Sequence, residues 1–177
     1  MSKLPEVIVA MGAGKEIGKY GRLPWGNALK GDLAHFRELT LGKTVIMGFN
    51  TFMSIGGSAL SQRQNIVLTR KHVSAKDVTF AASLPEALSI AAEQPYIIGG
   101  GKLYDRAIGM VDVIHATQIL ANFPGSDTTF SPDLSDSDTW AEVSRQPGPG
   151  KSAGEPHDYD FVRYERINPI AENPTEY

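Results

Sequence analysis

Short apolar runs recur along this chain, separated by segments rich in glycine, proline and charged residues. Eight of these runs predict β-strands, at residues 7–11, 44–47, 65–68, 78–80, 96–98, 113–119, 140–144 and 160–167. The first run is apolar throughout, which is typical of a strand buried on both faces. The last run alternates instead, so that Phe161 and Val162 point to opposite faces of a sheet.

A helical period lies between several of these strands. Leu33, Phe36 and Leu39 recur at the spacing of one helix face, and Gly42 follows in the position of a C-cap. Shorter helices are predicted directly after Gly48, from a capping box at 83–86 through residue 93, and at 102–108. The alternation of strands and helices predicts an α/β fold with a mostly parallel sheet. The last strands have no helix between them, so they predict an antiparallel edge.

The ends of the predicted strands indicate where a ligand would bind. In open α/β sheets, ligands lie beyond the carboxyl ends of the parallel strands. The turns at Gly48, Arg70 and Gly99 and the start of the helix at Asp32 all follow predicted strands. We therefore expect these four positions to share one rim of the sheet.

Residues 18–41 form the segment around which we expect the site to be organised. Its first part, with closely spaced glycine and proline around Trp25, predicts a loop. Asp32 stands in the first turn of the helix that follows, where free N–H groups and the helix dipole stabilise a carboxylate. The local sequence leaves two interpretations open: Asp32 only caps the helix, or it serves a site beside Leu33 and Phe36.

Two glycine-rich segments resemble phosphate-binding motifs. Gly12, Gly14 and Gly18 follow the first strand, but their spacing differs from a dinucleotide fingerprint and a loop follows instead of a helix, so we reject that interpretation. Residues 99–101 precede a predicted helix and indicate either a tight turn or a phosphate site. The segment 146–156 is expected to be one exposed loop.

Composition limits the functional classes. A chain of 177 residues suits one domain, its net charge of −3 gives no reason to expect nucleic-acid binding, and it has no cysteine. No apolar run approaches a membrane span of about 20 residues, and residues 1–11 do not resemble a signal peptide. The four histidines lack metal-ligand spacing, and we expect His35 on the solvent side of its helix. The acidic group at 133–138 favours a solvated turn over a cation site.

Several of these segments together resemble dihydrofolate reductase. The sequences VIVAM, LPW, DLAHFRELT, VIMGFNTFMSIG, NIVLTR, YIIGGGKLY and ATQI occur in the family's order, and the similarity runs from Val7 to about Ile167. The resemblance implies an eight-stranded mixed sheet flanked by about four helices, in a single domain at 1–168 followed by a disordered tail at 169–177. It implies a cytoplasmic enzyme that uses NADPH to reduce 7,8-dihydrofolate to tetrahydrofolate for one-carbon metabolism. We expect a monomer, because the sequence has no long exposed apolar stripe.

The resemblance also implies roles for individual residues. Asp32 would be the active-site acid, with Trp25 as its neighbour through an ordered water, and Thr117 would also belong to the catalytic residues. Residues 18–24 would close over the nicotinamide. The substrate would contact Ala10, Leu33, Phe36, Ile55, Leu60, Arg63, Ile98 and Thr117, with Arg63 on its α-carboxylate. The cofactor would contact Ile17, Gly18, Gly48, Phe49, Asn50, Thr51, Leu68, Thr69, Arg70, Gly99, Gly100, Gly101, Lys102, Leu103 and Tyr104. A cis bond between Gly99 and Gly100 is implied as well, and no metal is.

The chain departs from the family's pattern at three places. Phe49 stands where the family often has a basic residue, so Arg70 and Thr69 would carry more of the contact with the 2′-phosphate, while Lys71 is expected to point away. Six residues separate Trp25 from Asp32, more than in many bacterial members. The segment before Arg63 lacks the usual proline and glycine. A related reductase acting on another pterin or a pyrimidine, and a non-catalytic binding domain, remain alternatives.

Overall fold

Ten strands and four helices make up residues 4–170, the part of the chain that a computed structural model describes. The strands are β1 (Glu6–Met11), β2 (Glu16–Gly18), β3 (Thr44–Gly48), β4 (Gln64–Leu68), β5 (Val78–Ala81), β6 (Pro95–Ile97), β7 (Val113–Ile119), β8 (Thr128–Thr129), β9 (Trp140–Pro147) and β10 (Tyr159–Arg166). The helices are α1 (Lys30–Thr40), α2 (Phe49–Ser54), α3 (Leu84–Ser89) and α4 (Gly101–Ala107), with 3-10 turns at Ile108–Met110 and Gly150–Ala153.

The main sheet has eight strands in the order β5-β4-β3-β6-β1-β7-β10-β9. In the first six strands of this order, from β5 through β4, β3, β6 and β1 to β7, all neighbours pair in parallel. Strand β10 pairs antiparallel with both β7 and β9. The predicted mixed sheet with an antiparallel C-terminal edge is therefore confirmed. The register sets Ala10 of β1 beside Thr117 of β7, and Thr117 beside Phe161 of β10.

Helices cover both faces of this sheet. The larger core joins buried side chains of β1 and β7 to those of α3 and α4, including Val9, Ile114 and Leu103. On the opposite face, Phe52 of α2 packs with Val45 and Met47. Strand β1 is not buried on both faces as its run of apolar residues suggested. Its second face, with Ile8 and Ala10, borders a cavity.

Several element boundaries differ from those that the pattern predicted. Helix α3 ends at Ser89 instead of continuing to residue 93, because the N–H groups of Ala92 and Glu93 donate to the side chains of Gln64 and Thr44. The small sheet of β2 and β8 went unpredicted, since strands of three and two residues show no periodicity. The segment 146–156 is not simply an exposed loop, since it contains a 3-10 turn that begins at the buried Gly150.

The predicted tail lies mostly outside the described residues, which end at 170. Within them, the N–H of Ile170 donates to the carboxylate of Asp112 at 3.0 Å. No helix within residues 4–170 is both long and apolar enough to cross a membrane.

Candidate active site

A cavity of about 1690 Å³ opens where helices α1, α2 and α4 meet the carboxyl ends of the parallel strands. Pockets for a single drug-sized ligand measure about 300–1,000 Å³, so this cavity has room for two ligands side by side. Its wall includes Asp32, Gly48 and Gly99, which places three of the four expected rim positions together. The fourth, Arg70, is exposed and does not line the cavity.

Asp32 is the buried carboxylate of the cavity, with 8% of its surface exposed. It lies in the first turn of α1, and its Oδ1 accepts a hydrogen bond of 2.7 Å from the hydroxyl of Thr117. Burial raises the pKa of Asp32 above its ordinary value, the Thr117 hydrogen bond opposes that rise, and the negative charge of Glu155 adds to it. Asp32 is thus more than a helix cap, because its carboxylate faces the cavity and holds a proton more readily than an exposed carboxylate.

The wall on the α1 side of the cavity is apolar. It is formed by the predicted substrate residues Ala10, Leu33, Phe36, Ile55, Leu60 and Ile98. Leu33 is 38% exposed and Ile55 is 40% exposed, although both face the interior of a cleft. Apolar side chains left open in a concave wall around a few polar groups are typical of a small-molecule site.

Arg63 borders the same cavity near the end of α1. Its Nη1 donates to the Thr40 hydroxyl at 3.0 Å and its Nε donates to the Ser61 carbonyl at 2.9 Å. Among the described residues, no carboxylate lies within ion-pair distance of this guanidinium. Arg37, one turn before Thr40, also lines the cavity. Its role was not predicted, because a charged position on a helix suggests exposure to solvent.

On the other side of the cavity, two helices begin without a side-chain cap. Gly48 precedes α2 and Gly100 precedes α4, and no side chain caps either helix. The Gly48 N–H donates to the Gly99 carbonyl at 2.8 Å, and the Gly99–Gly100 peptide bond is cis, as the resemblance implied. The predicted cofactor residues that line this wall are Ile17, Gly18, Gly48, Phe49, Asn50, Thr51, Gly99, Gly100, Gly101, Lys102, Leu103 and Tyr104.

The end of β4 approaches helix α2 outside this wall. Leu68, Thr69 and Arg70 do not line the cavity. The expectation that Lys71 points away is wrong, because its Nζ lies 4.9 Å from the centroid of the Phe49 ring. A cation over an aromatic face is stabilised by the ring's quadrupole. Phe49 stands where the family often has a basic residue, and its ring holds the ammonium group of Lys71 beside α2.

The loop at 18–24 covers one end of the cavity and is tied to β8. The Tyr20 N–H donates to Asp127 Oδ2 at 2.7 Å, and the Asp127 N–H donates to the Gly18 carbonyl at 3.0 Å. Trp25 does not line the cavity, since it is buried against Leu29 and lies 5.2 Å from Phe123, ring to ring. Asp127 lies far along the chain from the loop, and nothing in its local sequence marks this contact.

The histidines do not form a metal site. Among residues 4–170, no group of three or more histidine and carboxylate side chains could hold a metal ion. His35 does not lie on the solvent side of α1, because its ring stacks on Phe161 with 4.0 Å between centroids. His115 pairs with Glu6 at 2.7 Å.

Comparison with known proteins identifies the family. The dihydrofolate reductase family profile matches residues 6–166. The dihydrofolate reductase of Bacillus subtilis is 39% identical over 164 residues, which is 91% of this chain and 94% of that protein. The type 3 dihydrofolate reductase of Salmonella typhimurium is 40% identical over 149 residues, covering 82% of this chain and 88% of the relative. Enterococcus faecalis dihydrofolate reductase, solved with NADP(H) and RAB-propyl, superposes with a TM-score of 0.84 at 31% identity over 95% of this chain and 99% of that one. This chain belongs to the dihydrofolate reductase family.

Proposed function

We propose that this chain catalyses the NADPH-dependent reduction of 7,8-dihydrofolate to 5,6,7,8-tetrahydrofolate. The observation that carries the proposal is a buried carboxylate, Asp32, which accepts a hydrogen bond from Thr117 in the wall of a cavity large enough for two ligands. NADPH supplies the hydride that reaches C6 of the pterin, and N5 gains a proton. The chain's residues bind, orient and shield the reactants.

Asp32 orients the pterin. The 2-amino group and the N3–H of the pterin are neighbouring donors, and a carboxylate accepts both with its two oxygens. Thr117 holds one oxygen at 2.7 Å, which limits rotation of the carboxylate. Because burial raises the pKa of Asp32, a proton stays near the ring, and it reaches N5 through water or tautomer exchange.

The apolar wall and Arg63 select the rest of the substrate. Leu33, Phe36 and Ile55 suit the flat ring system, and Leu60 suits the benzoyl group. Arg63 offers a cation for the α-carboxylate of the glutamate tail. A pterin without that tail has no use for this cation, which favours dihydrofolate over the related pterin and pyrimidine substrates.

The wall at α2 and α4 fits the pyrophosphate of NADPH. A Cβ atom on Gly100 would lie 3.3 Å from the Thr51 hydroxyl, so a side chain there would crowd the space between the two helix starts. N–H groups in an uncapped first turn lack internal partners and favour an anion. The first turn after Gly48, which includes Thr51, would hold the pyrophosphate together with residues 99–101, and Thr69 with Arg70 would hold the 2′-phosphate.

The loop at 18–24 excludes water from the reacting rings. Its hydrogen bonds to Asp127 support a position over the cavity, and closed loops of this kind protect the transfer step and fix the approach of the reactants. Trp25 anchors the far end of the loop in the apolar cluster with Leu29. We further propose that the enzyme is a cytoplasmic monomer.

Loss of NADPH absorbance tests this function. The purified chain should consume NADPH with dihydrofolate and should do so far more slowly with a biopterin or without substrate. Asp32→Asn should keep the fold and NADPH binding but lose at least about 100-fold in activity at pH 7, the contribution typical of a proton-transfer group. Activity should recover partly at low pH, where the substrate is already protonated.

The matched control is Asp77→Asn, an exposed aspartate outside the cavity. It should turn over like wild type. An Asp32→Asn enzyme with wild-type turnover at pH 7 would remove Asp32 from the mechanism.

A further inference from the structure

The residue at the start of helix α1 does not cap the first turn with its side chain. Leu29 is its N-cap residue and offers no side-chain hydrogen bond to the first turn. The first N–H groups of a helix lack partners within the helix. Here the partner comes from 124 residues further along the chain, where Glu155 Oε1 accepts a hydrogen bond of 2.6 Å from the Gly31 N–H.

Glu155 is itself held in place by the loop between β9 and β10. The Tyr159 hydroxyl donates to its second oxygen at 2.5 Å, and its own N–H donates to the Gly150 carbonyl at 3.1 Å. Burial works to raise the pKa of Glu155, but its hydrogen bonds from Tyr159, Gly31 and other backbone N–H groups prevail and lower that pKa. Glu155 is therefore a fixed, ionised carboxylate.

The loop between β9 and β10 packs tightly against Gly31 in the first turn of α1. A Cβ atom at Gly31 would lie 2.4 Å from the Tyr159 hydroxyl and 2.7 Å from Pro149 Cγ. Real Cβ atoms do not approach other atoms so closely, so only glycine at position 31 lets the loop reach the helix. The segment 148–159 thus packs directly on the turn that carries Asp32.

Asp32 follows Gly31 directly, and its position is fixed from two sides. Thr117 of β7 donates to its carboxylate on one side, and Glu155 and Tyr159 hold the first turn of α1 on the other. Of the titratable groups around Asp32, Glu155 is the one whose charge raises the pKa of Asp32, and the charge of Asp32 in turn helps to raise the pKa of Tyr159. His35 of α1 and His115 of β7 also line the cavity, but neither is among the groups that shift the pKa of Asp32.

We propose that Glu155 is a positioning residue for the reaction: it fixes the first turn of α1, and with it Asp32, and it sets a second negative charge beside the site of protonation. The inference rests on the proposed function, because it assigns Asp32 the role given above. The added negative charge favours a proton on Asp32 or on the pterin bound to it as the pH rises. Activity should therefore persist to higher pH than it would without Glu155.

Two variants separate the charge from the hydrogen bonds. Glu155→Gln keeps an oxygen that accepts from Gly31 but removes the charge, whereas Glu155→Ala removes both. The control is Glu93→Gln, which removes the same charge from an exposed position outside the cavity. For each protein, kcat/KM is measured with dihydrofolate from pH 5 to pH 9, together with the melting temperature.

In Glu155→Gln, the pH at which activity is half lost should move down by about 0.3 unit or more, which is about twofold in kcat/KM on the alkaline side. Its melting temperature should stay near that of wild type, while Glu155→Ala should also melt earlier. If Glu155→Ala fails to fold, Tyr159→Phe takes its place in the comparison, because it removes one hydrogen bond from Glu155 and keeps the charge.

A Glu155→Gln profile that superposes on that of wild type would overturn the proposal and leave Glu155 with a purely structural role as a helix cap. Failure of the proposed function would show earlier, as a wild-type chain inactive with dihydrofolate.

Discussion

At the scale of single residues, Arg63 keeps its positive charge in an unfavourable environment, which a ligand carboxylate would improve. Burial and the positive charge of Arg37 both lower the pKa of Arg63, which means that its charged form is less stable here than in water. The two hydrogen bonds that it donates go to neutral oxygens of Ser61 and Thr40. A carboxylate arriving in the cavity would relieve this unfavourable environment.

Arg63→Ala should therefore weaken dihydrofolate binding far more than it slows the transfer step. A hydrogen bond to a charged group contributes about 1.5–3 kcal/mol, so binding should fall roughly tenfold to a hundredfold. Arg106→Ala, an exposed arginine on α4 outside the cavity, is the control. Equal weakening of a pterin without the glutamate tail would show that Arg63 does not recognise that tail.

His35 gives the fold a pH dependence. Burial lowers its pKa below the ordinary value of 6.5, the nearby His115 lowers it further, and Glu38 opposes the shift. Between the lowered pKa and 6.5, the unfolded chain binds more protons at this residue than the folded chain, so the free energy of unfolding rises with pH. The stabilisation is complete above pH 6.5 and is lost as the pH falls through the folded-state pKa.

His35→Phe should remove this contribution to the pH dependence of stability and keep an aromatic ring stacked on Phe161. Urea unfolding at pH 7.5 and at pH 5 should show a smaller loss of stability on acidification in the variant than in wild type. The exposed His72 provides the control substitution, His72→Gln. An identical loss in His35→Phe and wild type would show that the acid sensitivity arises elsewhere.

At the scale of elements, we expect the end of β4 and the start of α2 together to determine the preference for NADPH over NADH. Lys71 is engaged with the Phe49 ring, whereas Arg70 is exposed after β4. A guanidinium presents a planar fork that matches a phosphate, and a free one can reorient towards it. We therefore assign the 2′-phosphate contact to Arg70 in preference to Lys71.

Arg70→Ala should raise the Michaelis constant for NADPH and leave that for NADH nearly unchanged, because NADH lacks the 2′-phosphate. The preference for NADPH should shrink by at least about tenfold, equivalent to about 1.4 kcal/mol. Lys71→Ala is the matched comparison and should have the smaller effect. The opposite ranking would identify the cation held by Phe49 as the phosphate contact.

At the scale of the whole molecule, the cavity joins segments from most of the chain. Ala10, Asp32, Gly48, Gly99 and Thr117 come from β1, α1, β3, the turn before α4 and β7. A ligand that contacts several of them binds only the folded chain. Its binding free energy is therefore added to the stability of the whole domain.

NADPH at about 100 times its dissociation constant should stabilise the fold by about 2.7 kcal/mol. For a domain of this size, that corresponds to a rise in melting temperature of about 5–11 °C. NADH at the same concentration should give a smaller rise, since it cannot use Arg70. A melting temperature that does not respond to NADPH would contradict the proposed cofactor.

The order of the elements followed from the sequence because its signals are local. Continuous apolar runs predicted β3 and β4, and the spacing of Leu33, Phe36 and Leu39 predicted α1. The motifs around Trp25, Asp32 and the three glycines at 99–101 identified the family, because they combine turn residues and side-chain chemistry within a few positions. The same short range explains the errors, since the end of α3 depended on Gln64 and Thr44, which lie on other strands.

The contacts that complete the site were decided by the tertiary structure alone. Asp32 meets Thr117 across 85 residues, and Gly31 meets Glu155 across 124. Lys71 reaches Phe49 because the chain turns after β4, against the direction that an extended segment implies. Residues 146–156 carry no apolar period, so their packing on the first turn of α1 left no trace in the pattern. The sequence determined which elements form and what chemistry they carry, because those depend on near neighbours. The environment of each charged group depends on the packing of distant segments, and only the fold brings those segments together.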